Sequence, residues 1–340
     1  MKRLLLLPFS LFLLVGLKAQ DIHFTQTQFA PLSINPAQTG LFSGTFRING
    51  LYRSQWNSGV KNGYQTPVLG VDVNFKGFAK THWIGVGVNL HQDKAGLAAL
   101  TNNLAALNLG YHISLDNKMT QVISFGVQGG MVQRSLNSDG LRFQDAIQSG
   151  GSSLDLPLIT ANAKSYIDFS IGMNYKAPIN SKRSNKNGYN IGLSVEHVAG
   201  PKLNVFEPNT GKVSSLSRRI NLYANLDYGI TKTIRVYPAV IFRTAAGLNE
   251  TMVQAVGGLV LDEKQNTIIR AGLGYRLGDA AQVLVGVDYG DIRAGLAYDV
   301  TTSTLRPNTS VKDGFELGIS YIGKIFKKPT TTPVILCPKY

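Results

Sequence analysis

Apolar side chains occupy every second position through most of the chain, from about Thr45 to Ile322. The segments 167–175 and 220–228 show the alternation most clearly, with small or polar residues between the apolar ones. Successive side chains of a strand point to opposite faces, so each segment has one apolar and one polar face. Most segments are about eight to eleven residues long, the length of tilted strands that cross a bilayer. The pattern predicts an all-β fold, a transmembrane antiparallel β-barrel of about 14 strands.

The connections between the predicted strands are of unequal length. With the N-terminus in the periplasm, the long connections fall mostly on the outer side, as they do in outer-membrane barrels, and 176–188 is the inward exception. An even strand count is expected, so about twelve or sixteen strands are the nearest alternatives. The predicted strands span residues 46–56, 68–75, 83–91, 105–114, 122–132, 166–175, 189–198, 219–228, 233–243, 252–261, 267–276, 281–290, 292–300 and 314–322.

The first residues have the layout of a secretory signal peptide. Lys2 and Arg3 form a basic start, residues 4–17 are mostly apolar, and Ala19 fits the position before a cleavage site. A membrane-anchoring helix is the alternative, but the stretch is short for one. We therefore divide the chain into a signal peptide (1–19), an N-terminal periplasmic or plug segment (20–44), the barrel (45–322) and a short periplasmic tail (323–340).

Composition agrees with a barrel. The mean hydropathy is +0.00 and the hydrophobic content is 44%, which is too polar for a helical membrane protein. The alternative is a large soluble β-sandwich, but such a protein would carry more charge on its outer faces than the 16% found here. Many of the 36 glycines fall inside the alternating runs. On the inner face of a barrel they would leave room where curvature crowds the side chains.

The segment 21–44 lacks sustained alternation and contains Pro31 and Pro36. Proline cannot donate to a strand ladder, so this is not a central strand. Barrels of about eight strands fill with side chains and those of sixteen or more leave a channel, so an intermediate barrel has room for a plug. We expect the segment to pack inside the barrel or across its periplasmic mouth; the alternative is a flexible leader. The predicted anchors are Phe24, Phe29, Leu32 and Ile34.

The chain has a formal net charge of +14. This excess of positive charge favours contact with anionic lipid of the outer membrane. Docking of acidic protein partners is the more specific alternative. Nucleic-acid binding is not expected, because no recognisable binding module is present. The polar strand faces carry both signs, which indicates pairing within the lumen or a wet interior.

No catalytic site, cofactor site or metal site is predicted. The histidines lack metal-ligand spacing, and a single cysteine, Cys337, excludes thiolate clusters. The sequence has no Gly-x-Ser-x-Gly motif, and the glycine-rich runs lie in strands rather than before helices. We therefore expect a protein that is not an enzyme.

The tail after Tyr321 is first basic and then apolar at 334–336. A solvated tail has no need of that apolar cluster, so we expect a docking element. It would fold back on the barrel mouth or bind a periplasmic partner, and both alternatives stay open. Cys337 is expected to be a small buried side chain rather than a reactive thiol.

Several sequence elements together resemble the PorP/SprF family of type IX secretion system outer-membrane proteins. They are Asn-Pro-Ala at 35–37, Tyr-Arg-Ser-Gln-Trp at 52–56, Tyr-Asp-x-Thr-x-Ser-x-Leu at 298–305 and Cys-Pro-Lys-Tyr at 337–340. The resemblance covers nearly the whole mature chain. The partner-binding candidates that it implies are Pro31, Asn35, Pro36, Gly40, Arg53, Trp56, Tyr298, Asp299, Cys337 and Pro338.

The resemblance implies a barrel that helps a partner protein, such as a gliding adhesin, to be exported or to stay attached to the surface through its C-terminal domain. It also implies contact with the type IX core complex or with a peptidoglycan-associated OmpA-like lipoprotein. The alternative function is an outer-membrane solute channel or a transporter of hydrophobic compounds, which would need an open or gated path through the lumen.

Overall fold

The computed structural model describes residues 22–56, 63–79, 81–96, 99–137, 163–179, 187–203, 214–302 and 313–325. Within these ranges, fourteen strands form one closed antiparallel barrel, which confirms the predicted fold class. They are β1 (Phe46–Gln55), β2 (Tyr64–Ala79), β3 (His82–Ala95), β4 (Leu100–Ser114), β5 (Val122–Ser135), β6 (Lys164–Pro178), β7 (Gly188–Glu196), β10 (Arg219–Gly229), β11 (Ile234–Ala245), β12 (Leu248–Asp262), β13 (Thr267–Arg276), β14 (Ala280–Tyr289), β15 (Ile292–Thr301) and β16 (Asp313–Gly323).

The strands pair in chain order, and β1 closes the barrel against β16. Phe46 pairs with Gly323 at one end of this seam, and Gln55 pairs with Gly314 at the other. The Phe46 end carries the short turns, and we call it the periplasmic end; the opposite end carries the long connections and is the outer end. Two short strands, β8 (Lys202–Leu203) and β9 (Ser214–Ser215), form a separate pair in the connection between β7 and β10.

The two faces of the barrel wall differ as the alternation predicts. Leu107 is 68% exposed, whereas its neighbour Asn108 is 2% exposed. The outward side chains form an apolar surface suited to lipid, and the inward ones are mostly polar, because only the lumen can supply them with partners. No helix in the described residues is long and apolar enough to cross a membrane.

Several strands are longer than the alternation indicates, most clearly at the outer end. The alternation predicts a third strand that ends at residue 91, but β3 continues to Ala95. Its last residues still pair with β4: Asp93 lies opposite Asn102 and Lys94 opposite Thr101. Alternation of hydrophobicity stops where the lipid stops, whereas the hydrogen-bonded ladder continues into water. The two-residue strands β8 and β9 are too short to show any alternation.

Residues 22–44, which we call the plug, lie inside the barrel. The plug consists of three short helical turns, two of them of the 3-10 type, at Thr27–Phe29, Pro31–Ile34 and Pro36–Gln38. Ile22 contacts Arg219 at the outer end, and the plug then descends toward the periplasmic end, where β1 begins. The four predicted anchors, Phe24, Phe29, Leu32 and Ile34, are at most 4% exposed.

Candidate functional site

A row of glycines crosses the inner wall of the barrel beneath the plug. Gly85 on β3 pairs with Gly110 on β4, Gly110 with Gly126 on β5, and Gly126 with Gly172 on β6. All four stand at inward positions of their strands. The lumen is therefore widened along one line across four neighbouring strands.

The main chain of the plug fills this widened line. A Cβ atom on Gly85 would lie 2.0 Å from the carbonyl oxygen of Thr39, and one on Gly126 would lie 2.2 Å from both Pro36 C and Ala37 N. These separations are far below van der Waals contact, and the atoms approached belong to backbone. Only glycine lets the segment 35–40 lie directly against the wall.

Asn35 fastens the middle of the plug to the wall. Its Nδ2 donates to the carbonyl oxygens of Met173 at 3.0 Å and Leu193 at 3.2 Å. Its Oδ1 accepts from the amide of Ala37 at 2.8 Å, which stabilises the last helical turn of the plug. Because Asn35 is fully buried, this amide holds both the shape of the plug and its position.

Gly40 ends the fastened segment near the periplasmic end. Its amide donates to Oδ2 of Asp72 at 2.7 Å, and its carbonyl accepts from the indole of Trp83 at 3.1 Å. Arg47 binds the same aspartate at 2.7 Å and also donates to the carbonyl of Gln38 at 3.0 Å. Gly40 has φ +75, a conformation that favours glycine.

The plug is fastened again at the outer end. The amides of Thr25 and Gln26 each lie 2.7 Å from an oxygen of Glu316. The guanidinium of Arg53 lies 2.5 Å from the same carboxylate and 3.2 Å from Asp299. The hydroxyl of Thr25 donates to Asp299 at 2.8 Å. One network thus joins the plug to β1, β15 and β16.

This outer network is buried. Arg53 is 3% exposed and pairs with Asp299 and Glu316; Arg276 is 2% exposed and pairs with Asp299 and with the more exposed Asp279. Removing one partner of a buried ion pair typically costs about 3–5 kcal/mol. Burial, followed by the nearby charge of Arg276, lowers the pKa of His23 well below its ordinary value, so this plug residue stays neutral at pH 7.

Cavities lie on both sides of the plug. One, of about 450 Å³, lies in the periplasmic half and is lined by plug residues and by strands on the side of β6, β7 and β10–β15. The other, of about 340 Å³, lies toward the outer end, where His197 binds Asp168 at 2.7 Å. Among the described residues, no group of three or more His, Cys, Asp or Glu could hold a metal ion.

Comparison with known families decides the identity of this plugged barrel. Residues 16–321 match the family described as type IX secretion system membrane protein PorP/SprF, and this range covers most of the chain. The chain belongs to the PorP/SprF family. It is therefore an outer-membrane β-barrel of the type IX secretion system. No curated protein matches the sequence.

Two solved structures resemble the barrel in shape. The toluene transporter TbuX of Ralstonia pickettii is 11% identical, with a TM-score of 0.51 over 87% of this chain and 94% of that chain. The CymD monoaromatic hydrocarbon channel is 10% identical, with a TM-score of 0.50 over 87% of this chain and 92% of that chain. At such low identity the likeness shows the fold alone.

The structure divides the PorP/SprF candidate residues into groups. Asn35, Pro36 and Gly40 lie on the glycine row, and Pro31 begins the preceding helical turn of the plug. Arg53 and Asp299 meet in the outer network. Trp56 and Tyr298 belong to neither group. Trp56 packs edge-on against Tyr64, and Tyr298 is 43% exposed on the side of the wall that faces away from the lumen. Cys337 and Pro338, with the rest of the tail beyond 325, lie outside the described residues.

Some residues of the site were not predicted as such. Thr25, Thr39 and His112 are not among the predicted candidates, because their roles depend on long-range contacts: His112 bonds the carbonyl of Thr39 at 2.7 Å. The glycine row did leave a signal, because glycine recurs at an inward position in four successive strands. The sequence pattern alone is explained by wall curvature, but at these four positions the room is occupied by the plug.

Proposed function

We propose that this PorP/SprF barrel is a non-enzymatic component that assists export or surface attachment of a partner protein such as an adhesin. The observation that carries the proposal is the plug. It is bonded to the wall at Asn35 and Gly40 and again at Thr25 and Gln26. A lumen filled by a fastened segment suits a rigid docking module better than a path for solutes.

The proposed partners follow from family membership. The type IX core complex is the first, and a peptidoglycan-associated OmpA-like lipoprotein is the second. The exported partner would be held through its C-terminal domain. The partner-binding candidates near the outer end that do not bond the plug, Trp56 and Tyr298, would contribute to such a contact from the outer rim. The candidates in the plug would act by keeping the barrel rigid.

A second candidate function is transport of a small apolar compound. Its support is the likeness in shape to a toluene transporter and a hydrocarbon channel, which at 10–11% identity concerns the fold. Transport would require the plug to move, and that means breaking the bonds of Asn35 and the Glu316 network. We favour the docking function for this reason.

Deletion of the gene and purification of the protein test the two functions separately. If the chain is a secretion component, its deletion abolishes surface display of an exported partner, and the purified barrel in planar bilayers gives no steady conductance. Steady single-channel conductance, together with unchanged surface display in the deletion strain, would refute the proposal and favour transport.

A further inference from the structure

The periplasmic cavity carries more positive charge than its carboxylates balance. Asp288 accepts from both Arg270, at 2.6 Å, and Arg293, at 2.8 Å, so one carboxylate faces two guanidinium groups. Within the described residues, the other two arginines at this end are Arg47, which pairs with Asp72, and Arg235, which pairs with Asp227. Around the cavity, four described arginines therefore pair with three aspartates.

Lys176 adds a second uncompensated charge. It stands at an inward position near the periplasmic end of β6, lines the cavity and is exposed into it. Within the described residues its ammonium group makes neither a hydrogen bond nor an ion pair, although its main chain is part of the ladder. Arg293 is also open to the cavity, with 42% of its side chain exposed. Two cations that can bind a ligand thus border the same space.

The deeper part of the cavity is lined mostly by apolar side chains, which polar groups interrupt. Ile34 of the plug lies there with Ile241 and Leu284 of the wall. Among these apolar side chains stands the amide of Asn225, whereas the nearby amide of Gln254 already donates to the carbonyl of Thr25 at 2.9 Å and to Gln282 at 3.0 Å. Amide groups can bond a peptide main chain, and the apolar residues can cover one side chain.

We infer that this periplasmic cavity binds an acidic peptide segment of a partner protein, with one apolar side chain inserted and its carboxylates near Lys176 and Arg293. The inference deepens the proposed docking function and rests on it. The cavity has a volume of about 450 Å³, which is within the range of specific ligand pockets, about 300–1,000 Å³. The charge excess selects an anion, and the plug closes the cavity on its outer side.

A single-chain amphiphile such as a fatty acid has the same two chemical features, an anion and an apolar body. Its chain, however, would lie against the amide of Asn225, which it cannot bond, and burying an unpaired amide is costly. A peptide main chain can bond this amide. The peptide is therefore the favoured ligand, and the amphiphile is an outcome that the experiment must be able to reveal.

The test uses the purified full-length barrel in detergent and a fluorescein-labelled peptide, Asp-Glu-Phe-Glu-Asp, with binding followed by anisotropy. We expect Lys176→Glu to weaken binding about tenfold or more, because it reverses an unpaired charge at the cavity. Asn225→Trp should abolish binding by filling the cavity. Lys264→Glu is the matched control: it makes the same charge change on an exposed periplasmic turn away from the cavity and should leave binding unchanged.

Replacing the phenylalanine of the peptide by alanine should weaken binding, and octanoate should not compete. Absence of binding, equal losses in Lys176→Glu and Lys264→Glu, or displacement of the peptide by octanoate would each overturn the inference. Heat-modifiable migration of every variant confirms that the barrels are folded. Surface display of the exported partner is measured separately, so failure of this site and failure of the proposed function give different results.

Discussion

Gly126→Ala tests whether the plug depends on the glycine row. The new methyl group would lie 2.2 Å from the backbone of Pro36 and Ala37, whereas ordinary carbon contacts are about 3.5–4.0 Å. The plug backbone must therefore move by more than about 1 Å, or the wall must bend outward. Such overpacking typically costs about 1–3 kcal/mol.

The strain caused by Gly126→Ala is smaller than the free energy needed to detach the plug from the wall. Lifting the segment 35–40 off the wall would break four hydrogen bonds, each worth about 1 kcal/mol. Two are donated by Asn35, one joins His112 to the carbonyl of Thr39, and one is donated by the backbone N–H of Gly40 to Asp72. The variant should therefore keep its plug in place, with a larger open fraction. A strain of 1–3 kcal/mol corresponds to about a 5- to 150-fold increase in that fraction.

Limited proteolysis of the folded barrel measures the open fraction, because cleavage follows transient opening when reclosing is fast. Mass spectrometry of the N-terminus should show trimming within residues 22–44 that is faster than in the wild type by about 5- to 150-fold. The control is Gly257→Ala on the outward face of β12, where the nearest atom to the new Cβ, outside its chain neighbours, is 3.7 Å away. Equal trimming rates in the two variants would show that the plug does not pack against Gly126.

Three further changes address other parts of the barrel. Glu316→Gln should destabilise the protein by about 3–5 kcal/mol, because it breaks the buried pair with Arg53; an unchanged midpoint of thermal unfolding would contradict the network. Leu222→Arg on the lipid face should cost about 2–4 kcal/mol near the midplane, and Asn225→Arg in the lumen much less, as urea titration in lipid can check. His23 has a lowered folded-state pKa, so the unfolded plug takes up a proton that the folded plug does not, and stability falls as the pH drops below about 6.5. His23→Gln should reduce this loss, so a wild-type acid dependence of plug proteolysis in this variant would argue against the effect.

The barrel itself was predictable because lipid imposes a repeating demand. Each crossing must show apolar side chains outward, and this leaves a two-residue period that any single strand reveals, as in 220–228. The predicted strand bounds are inaccurate beyond the lipid, at polar strand ends such as 92–95, which pair in water without an apolar face.

The plug could be predicted as an element but not as an arrangement. Its prolines exclude a central strand, yet sequence alone left its position inside the barrel or across the mouth undecided. The contacts that fix it join residues far apart in the chain: Thr25 reaches Glu316, and Asn35 reaches Leu193. Such contacts require the register of all fourteen strands, which no local pattern contains.

The position of Glu316 has a consequence for the order of assembly. This carboxylate stands on the final strand, directly opposite Arg53 on the first, and it also holds the main chain at the start of the plug. The earliest and latest parts of the barrel-forming chain are therefore clasped by one side chain. A barrel that zipped shut while empty would enclose Glu316 without those two amide donors, so sealing of the seam and capture of the plug are best completed as a single event.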